Sequence, residues 1–218
     1  MPATSGLGAR VGAVMTVLYY CDLFGVAVFA VSGALMAGRK SMDLFGVSVL
    51  GLVTALGGGT LRDVILARHP VGWVADQSGI WVALGAALGT VLWVRLTKPI
   101  HEFGLLLADA FGLAVFTISG TAMALAQQVP VGTALIMGVM SGVVGGVIRD
   151  VLCNEIPLIF RQEIYASACL LGALVYVALL QLQCAAEPAS FIAMGVVFSV
   201  RMAAMRWQWS LPRFHLLD

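Results

Sequence analysis

The residues best equipped for chemistry in this 218-residue chain come in two matching sets. Gly57-Gly58-Gly59 leads into Arg62-Asp63, and Gly145-Gly146 leads into Arg149-Asp150. Upstream of each set stand an aspartate and a Ser-Gly pair: Asp22 with Ser32, and Asp109 with Ser119. All of them lie in strongly apolar stretches. A charge at depth in such a stretch is costly, and it is normally found paired, facing the protein interior or a polar cavity.

Two tasks suit a deep Arg-Asp pair: clamping helices together, and lining a route for ions. Neighbouring residues on a helix point about 100° apart. Arg62 therefore has two open partners, Asp63 beside it and an aspartate of the other set such as Asp150. The glycines also read two ways. Consecutive glycines weaken a helix by about 1 kcal/mol each relative to alanine, which favours a kink or an unwound turn whose freed carbonyls attract a cation. Small residues also let two helices approach closely. Asp22 and Asp109 suit vestibules that concentrate cations, or carboxylates placed at helix starts. Ser32 and Ser119 suit pore hydroxyls, or hydroxyls bonded back to the preceding helical turn.

Catalysis finds no footing. There is no H-E-x-x-H, and GGGTLRD lacks the Lys-Ser/Thr that completes a phosphate-binding loop. His69, His101 and His215 fall in expected loops or the tail. Cys21, Cys153, Cys169 and Cys184 form no CxxC and read as small buried hydrophobes. The expectation is a protein that is not an enzyme, with no catalytic residues, no cofactor and no metal site.

The elements that hold these residues follow from composition. Hydrophobic residues make up 61% of the chain and charged ones 11%, with a mean hydropathy of +0.99. Soluble domains carry about 25% charge, so bilayer hydrocarbon is the solvent that suits this chain. A net charge of +1 and the lack of a basic stripe exclude a nucleic-acid partner. At about 20 apolar residues per crossing, seven spans are predicted, over 13–37, 44–67, 78–96, 103–125, 131–153, 164–183 and 189–206. Five tryptophans (Trp73, Trp81, Trp93, Trp207 and Trp209) fall near span ends, where headgroups anchor aromatic rings.

Lys and Arg divide three (Arg10, Arg62, Arg68) against nine (Arg39, Lys40, Arg95, Lys98, Arg149, Arg161, Arg201, Arg206, Arg213) between the two faces. That imbalance puts the N-terminus outside and the C-terminus in the cytoplasm.

A shift of 87 positions aligns the chain with itself without a gap. Asp22, Phe24, Gly25, Phe29, Ser32, Gly33 and Met36 meet Asp109, Phe111, Gly112, Phe116, Ser119, Gly120 and Met123. At the same shift Gly58-Gly59 and Arg62-Asp63 meet Gly145-Gly146 and Arg149-Asp150, and Pro70 meets Pro157. Apolar sequence matches itself readily in Val, Leu and Ala, but not in aspartates, an Arg-Asp pair and a proline at one register. Each copy holds three spans, an odd number, so the second must enter from the opposite face. The predicted fold is an all-α polytopic membrane protein. Its seven transmembrane helices form one membrane domain over 1–218: two inverted three-helix repeats (13–96 and 103–183) and a seventh helix (189–206). Inverted repeats place a transport path at their interface.

The doubled motif Gly58-Gly59-Thr60-Leu61-Arg62-Asp63 and Gly145-Gly146-Val147-Ile148-Arg149-Asp150, with its repeated Asp-x-Phe-Gly…Ser-Gly opening, resembles the prokaryotic members of the trimeric intracellular cation (TRIC) channel family. The resemblance covers Asp22 to about Leu180. It implies a homotrimer in a prokaryotic inner membrane, each protomer holding its own pore for monovalent cations. Potassium would be the chief permeant ion, with sodium also admitted, and the pore would run between the repeats past kinked second and fifth spans. Animal members carry a lysine-rich lipid-binding motif near the kink; here Arg62-Asp63 and Arg149-Asp150 stand instead, so phosphoinositide regulation is not carried over. Val144 stands where the first copy has Gly57, so equal kinks are not implied. The competing expectation is a secondary transporter of a small solute such as glycine. A third is a scaffold whose buried ion pairs only brace the fold.

Overall fold

In a computed structural model, which describes residues 4–97, 102–161 and 164–209, the chain folds into helices without strands among those residues. The order is α1 (Thr4–Arg39), α2 (Leu44–Ile65), α3 (Gly72–Ala75), α4 (Ser78–Leu96), α5 (Glu102–Ala126), α6 (Val131–Leu152), α7 (Leu158–Arg161), α8 (Ala166–Gln181) and α9 (Ala186–Trp207). Lys98, His101, Arg213 and His215 lie outside the described residues.

Six helices are long and apolar enough to cross a bilayer, and α8 is a shorter apolar helix of 16 residues. At 1.5 Å per residue α8 spans about 24 Å, less than a typical hydrocarbon core of about 30 Å. A bilayer accommodates such a shortfall by thinning or by snorkelling of flanking residues. The four-residue helices α3 and α7 were not foreseen. They cover corresponding places in the two repeats, just after Pro70 and Pro157.

Local chemistry sets the helix ends in both copies. Asp43 starts α2 by accepting a hydrogen bond from the Gly46 amide at 2.7 Å, a standard N-cap. α2 closes with the Arg68 amide donating to the Asp63 carbonyl at 2.8 Å, and α6 with the Glu155 amide donating to the Asp150 carbonyl at 2.9 Å. Left-handed residues at equivalent positions, Ala67 (φ 51°) and Asn154 (φ 53°), make these closures possible. Ser41 (φ 54°) and Gln128 (φ 60°) are a second such pair after α1 and α5.

The two repeats meet along α1 against α5 and α2 against α6. Phe29 and Phe116, equivalent by the 87-residue shift, stack at the centre with ring centroids 5.4 Å apart and planes 12° apart. Phe24 and Phe111, also equivalent, meet edge-on at 6.2 Å. A local two-fold axis passing between such pairs is the geometric signature of inverted copies. Within each repeat the third helix packs on the first two: α4 on α1 and α2, α8 on α5 and α6. Helix α9 belongs to neither copy and lies against α5 and α8. Outward-facing apolar side chains such as Phe45, Trp81, Leu92, Trp93, Phe103, Ile136, Phe191 and Trp207 stay exposed, as a lipid-facing belt requires. The face where α1 begins is called below the N-terminal face, and that where α9 ends the C-terminal face.

Candidate functional site

The glycines set how near the repeats come. Helix α2 runs unbroken from Leu44 to Ile65, through Gly57, Gly58 and Gly59, and α6 from Val131 to Leu152, through Gly145 and Gly146. The unwound turn anticipated from three consecutive glycines is therefore absent from α2. The helices use the missing side chains for contact instead. A methyl group on Gly58 would overlap the Ser141 carbonyl oxygen and stand 3.3 Å from that carbonyl carbon. One on Gly145 would overlap the Thr54 carbonyl oxygen and stand 3.2 Å from the Phe29 ring. Thr54 and Ser141 are themselves equivalent, so α2 and α6 cross backbone to backbone at a symmetric pair of contacts. Gly57 would press on the flexible tip of Ile148, at 2.8 Å, with the Gly145 Cα in ordinary contact at 4.0 Å, and Gly59 would meet only the Arg62 guanidinium, at 3.6 Å.

On either side of this crossing lies an ion cluster. In the second repeat Arg149 bonds through Nε to Asp150 Oδ1 at 2.8 Å and through Nη1 to Asp109 Oδ1 at 2.6 Å. The same Nη1 donates to the Ser32 hydroxyl of the first repeat. Tyr165 Oη donates to Asp109 Oδ2 at 2.8 Å, and the Leu158 amide at the start of α7 donates to Asp150 Oδ2 at 3.0 Å. Arg149, Asp109, Asp150, Ser32 and Tyr165 are all buried. This buried cluster, called the plug below, lies toward the C-terminal face; within it Arg149 Nη2 has no hydrogen-bonding partner among the described residues.

The first repeat builds the same motif loosely. Arg62 Nε pairs with Asp63 Oδ1 at 2.9 Å, and the Gly72 amide at the start of α3 donates to Asp63 Oδ2 at 2.9 Å. Arg62 Nη1 stands 3.6 Å from Asp22 Oδ2, an ion pair without a hydrogen bond. Asp22 Oδ1 and Arg62 Nη1 have no hydrogen-bonding partner among the described residues. Both residues line a cavity of about 420 Å³ between α1, α2 and α5 at the N-terminal face, with Thr60, Arg68, Trp73 and Asp76 around them. Trp73 Nε1 donates to Thr60 Oγ1 at 2.9 Å. At the rim, the Tyr19 hydroxyl donates to Asp76 at 2.7 Å. That bond, with two more from Ser78, holds the Asp76 carboxyl below the usual range.

Both Arg-Asp pairs thus close within their own repeat, each Nε on the adjacent carboxylate; the alternative pairing of Arg62 with Asp150 is not made. Asp22 and Asp109 face the guanidiniums and do not serve as first-turn carboxylates. Ser32 belongs to the plug, whereas the Ser119 hydroxyl is buried without a partner. The four cysteines are free thiols, with Cys153 and Cys169 buried.

Two participants escape a reading of the sequence. Tyr165 has Ser78 as its counterpart, so a search for matching positions passes over it. Arg201, counted above with the charges that set orientation, is buried within α9. Its Nη1 donates to the Ile164 carbonyl at 2.8 Å, and its guanidinium carbon lies 4.6 Å from the Tyr165 ring centroid. A charge inside an apolar helix was the available signal.

Beyond the plug, Lys40 reaches across from the α1–α2 loop to Glu155 at 2.8 Å, and Arg161 pairs with the same carboxylate. These two bonds hold the Glu155 carboxyl below its usual range.

A family model described as a glycine transporter matches residues 19–95 and again residues 106–181, the two matches starting 87 residues apart. The UPF0126 inner membrane protein YadS of Escherichia coli strain K12 is 45% identical over 200 residues, covering 91% of this chain and 97% of that protein. A UPF0126 membrane protein of Vibrio cholerae serotype O1 is 45% identical over 201 residues, covering 92% and 84%. The solved TRIC trimeric intracellular cation channel orthologue from Rhodobacter sphaeroides superposes with a TM-score of 0.84 at 39% identity, over 89% of this chain and all of that one. The chain belongs to the prokaryotic TRIC channel family. Another prokaryotic TRIC channel, crystallised in 0.5 M KCl, superposes equally well, with a TM-score of 0.84 at 28% identity over 90% of this chain and all of its own. The TRIC fold is therefore the frame on which this chain mounts one ion cluster twice, one copy beside a cavity and the other buried.

Proposed function

We propose that this protein is a monovalent-cation channel, potassium-preferring and also admitting sodium, with a pore in each protomer between the inverted repeats. The route starts in the Asp22–Arg62 vestibule, passes the α2–α6 glycine crossing and ends at the Arg149 plug. The observation that carries this reading is the charge along the route: the vestibule sets three carboxylates (Asp22, Asp63, Asp76) against two guanidiniums (Arg62, Arg68), and the buried cluster sets Asp109 and Asp150 against Arg149. A polar, partly dehydrated path with an excess carboxylate at each end favours cations over anions. The solved relatives are TRIC cation channels. On the same footing the protein is read as a homotrimer in the inner membrane, with its N-terminus outside and its C-terminus in the cytoplasm. On this reading the buried plug closes the path, so conduction requires Arg149 and Asp109 to part.

Recording from purified protein in bilayers, under opposed potassium and chloride gradients, tests this. The expected result is a reversal potential near the potassium limit with currents far above carrier turnover. A chloride-shifted reversal, or no current from folded protein, refutes it.

A second reading, a carrier for a small zwitterion such as glycine, is favoured by one observation. Asp22 and Arg62 line one vestibule, and their buried atoms Oδ1 and Nη1 make no hydrogen bond among the described residues; uncovered, they would set an acceptor for an ammonium beside a donor for a carboxylate. Glycine uptake into proteoliposomes without unitary currents would decide for it.

A further inference from the structure

The pseudo-symmetric clusters differ most where the repeat ends. Asp109 and Arg149 touch at 2.6 Å and are buried; Asp22 and Arg62 stand 3.6 Å apart beside a cavity. The aspartate and arginine are common to both, so the difference lies in what surrounds them. Tyr165 occupies the second oxygen of Asp109, and its counterpart Ser78 leaves the equivalent carboxylate of Asp22 with an oxygen that has no partner. Tyr165 is in turn gripped by α9, the one long helix with no counterpart in the repeat. Arg201 binds the carbonyl of Ile164, the residue before Tyr165, and lays its guanidinium over the tyrosine ring. It thereby holds the backbone and the ring plane together. A cation over the face of a ring is attracted by the ring's quadrupole, and at this site it holds the ring whose hydroxyl reaches Asp109.

We propose that Arg201 is a positioning residue for the plug: by clamping Tyr165 onto Asp109 it keeps the C-terminal end of the inter-repeat path shut. Packing alone does not call for an arginine here. An aliphatic side chain would fill an apolar helix face without burying a charge, and a buried guanidinium is retained where its charge and planar donors are used. Helix α9 also packs directly on α5, which carries Asp109. Movement of α9 would therefore act on Tyr165 and Asp109 together.

This inference rests on the channel reading for its electrical arm only, so two readouts are used on Arg201→Gln, Arg201→Lys and Tyr165→Phe in the full-length protein. The first is single-channel open probability. The second needs no current. With the native cysteines replaced, Thr60→Cys in the N-terminal vestibule is exposed to silver ion, a thiol-reactive cation, applied only from the C-terminal face of oriented proteoliposomes. Loss of a hydrogen bond to a charged group predicts that R201Q and Y165F each raise open probability and silver accessibility by about tenfold. In R201Q and R201K, whose substituted residue lies behind Tyr165 and off the path, unitary conductance and cation selectivity stay as in the parent. The double variant exceeds neither single, since both break one clamp, and R201K falls between R201Q and the parent.

A folded R201Q or Y165F with unchanged accessibility overturns the proposal, as do single effects that multiply in the double. If R201Q fails to fold, Y165F and R201K decide the same question. Silver access that rises without any potassium current in any variant supports the clamp and sinks the channel reading instead.

Discussion

Three adjacent glycines with three different surroundings make the sharpest test of why the sequence carries them. Alanine at an ordinary helix position gains about 0.5–1 kcal/mol over glycine from the smaller entropy lost on folding. At Gly59 the new methyl would meet only the Arg62 guanidinium at 3.6 Å, an ordinary contact, so that gain should be kept. At Gly57 it would press on the movable Ile148 tip at 2.8 Å, and the two effects should nearly cancel. At Gly58 it would strike the Ser141 backbone carbonyl, which can yield only if α2 and α6 separate. Overpacking costs about 1–3 kcal/mol, and backbone resistance places this case at the upper end. The net expectation is a loss of about 2 kcal/mol for G58A and a gain of about 0.5–1 kcal/mol for G59A. For a chain of this size about 1 kcal/mol corresponds to about 2–4 °C. Thermal melts in detergent, followed by size-exclusion fluorescence, should therefore rank G59A above wild type and G58A several degrees below it. G145A, whose methyl would strike the Thr54 carbonyl, should behave like G58A. If G58A melts at or above wild type, or G59A melts below G58A, the glycines are not there for helix approach.

Further outcomes follow from the two clusters. Asp109→Asn leaves a buried guanidinium with one carboxylate and should destabilise the fold by about 3–5 kcal/mol, read as lost yield or a lower melt. Asp22→Asn, at the open vestibule, should barely move the melt but should cut conductance at low salt, with recovery at high salt where screening hides the charge. Glu155 has its folded pKa depressed by Lys40 and Arg161. Its contribution is therefore present above the ordinary carboxylate pKa and is lost as pH falls through the folded value. Melting from about pH 6 down to about pH 3 should show an acid limb that Glu155→Gln flattens. Thiol labelling of single cysteines at Ser41 and at Gln183 should reach the first from the cytoplasm and the second from outside; the reverse pattern overturns the assigned orientation.

The long helices were legible because hydropathy reads lipid exposure directly, and six of the seven anticipated spans became full-length crossing helices. The sixth, anticipated over 164–183, is α8 over Ala166–Gln181, two residues shorter at each end. Arg62, Asp63, Arg149 and Asp150 were legible as a set because a charge at depth is too costly to stand without a partner or a polar cavity. Their pairing was not, because spacing along a helix does not reveal that an arginine's Nε folds back onto its neighbour. The glycines were legible as a feature and ambiguous in purpose, since a kink and a close crossing call for the same residue. Tyr165 and Arg201 were hidden for opposite reasons: one breaks the repeat and the other lies outside it.

The matching of Arg68 with Glu155 across the repeat carries a consequence of its own. These residues cap equivalent helix ends through the same backbone bond, yet their charges are opposite. A free three-helix unit that partners an upside-down twin must serve both sides of a membrane with one sequence. Fusion of the twins into one chain ends that obligation. Each half then has a fixed address, and matched positions are released to specialise. Arg68 and Glu155, like Ser78 and Tyr165, are where that release is visible: the backbone stays duplicated while the side chains have diverged.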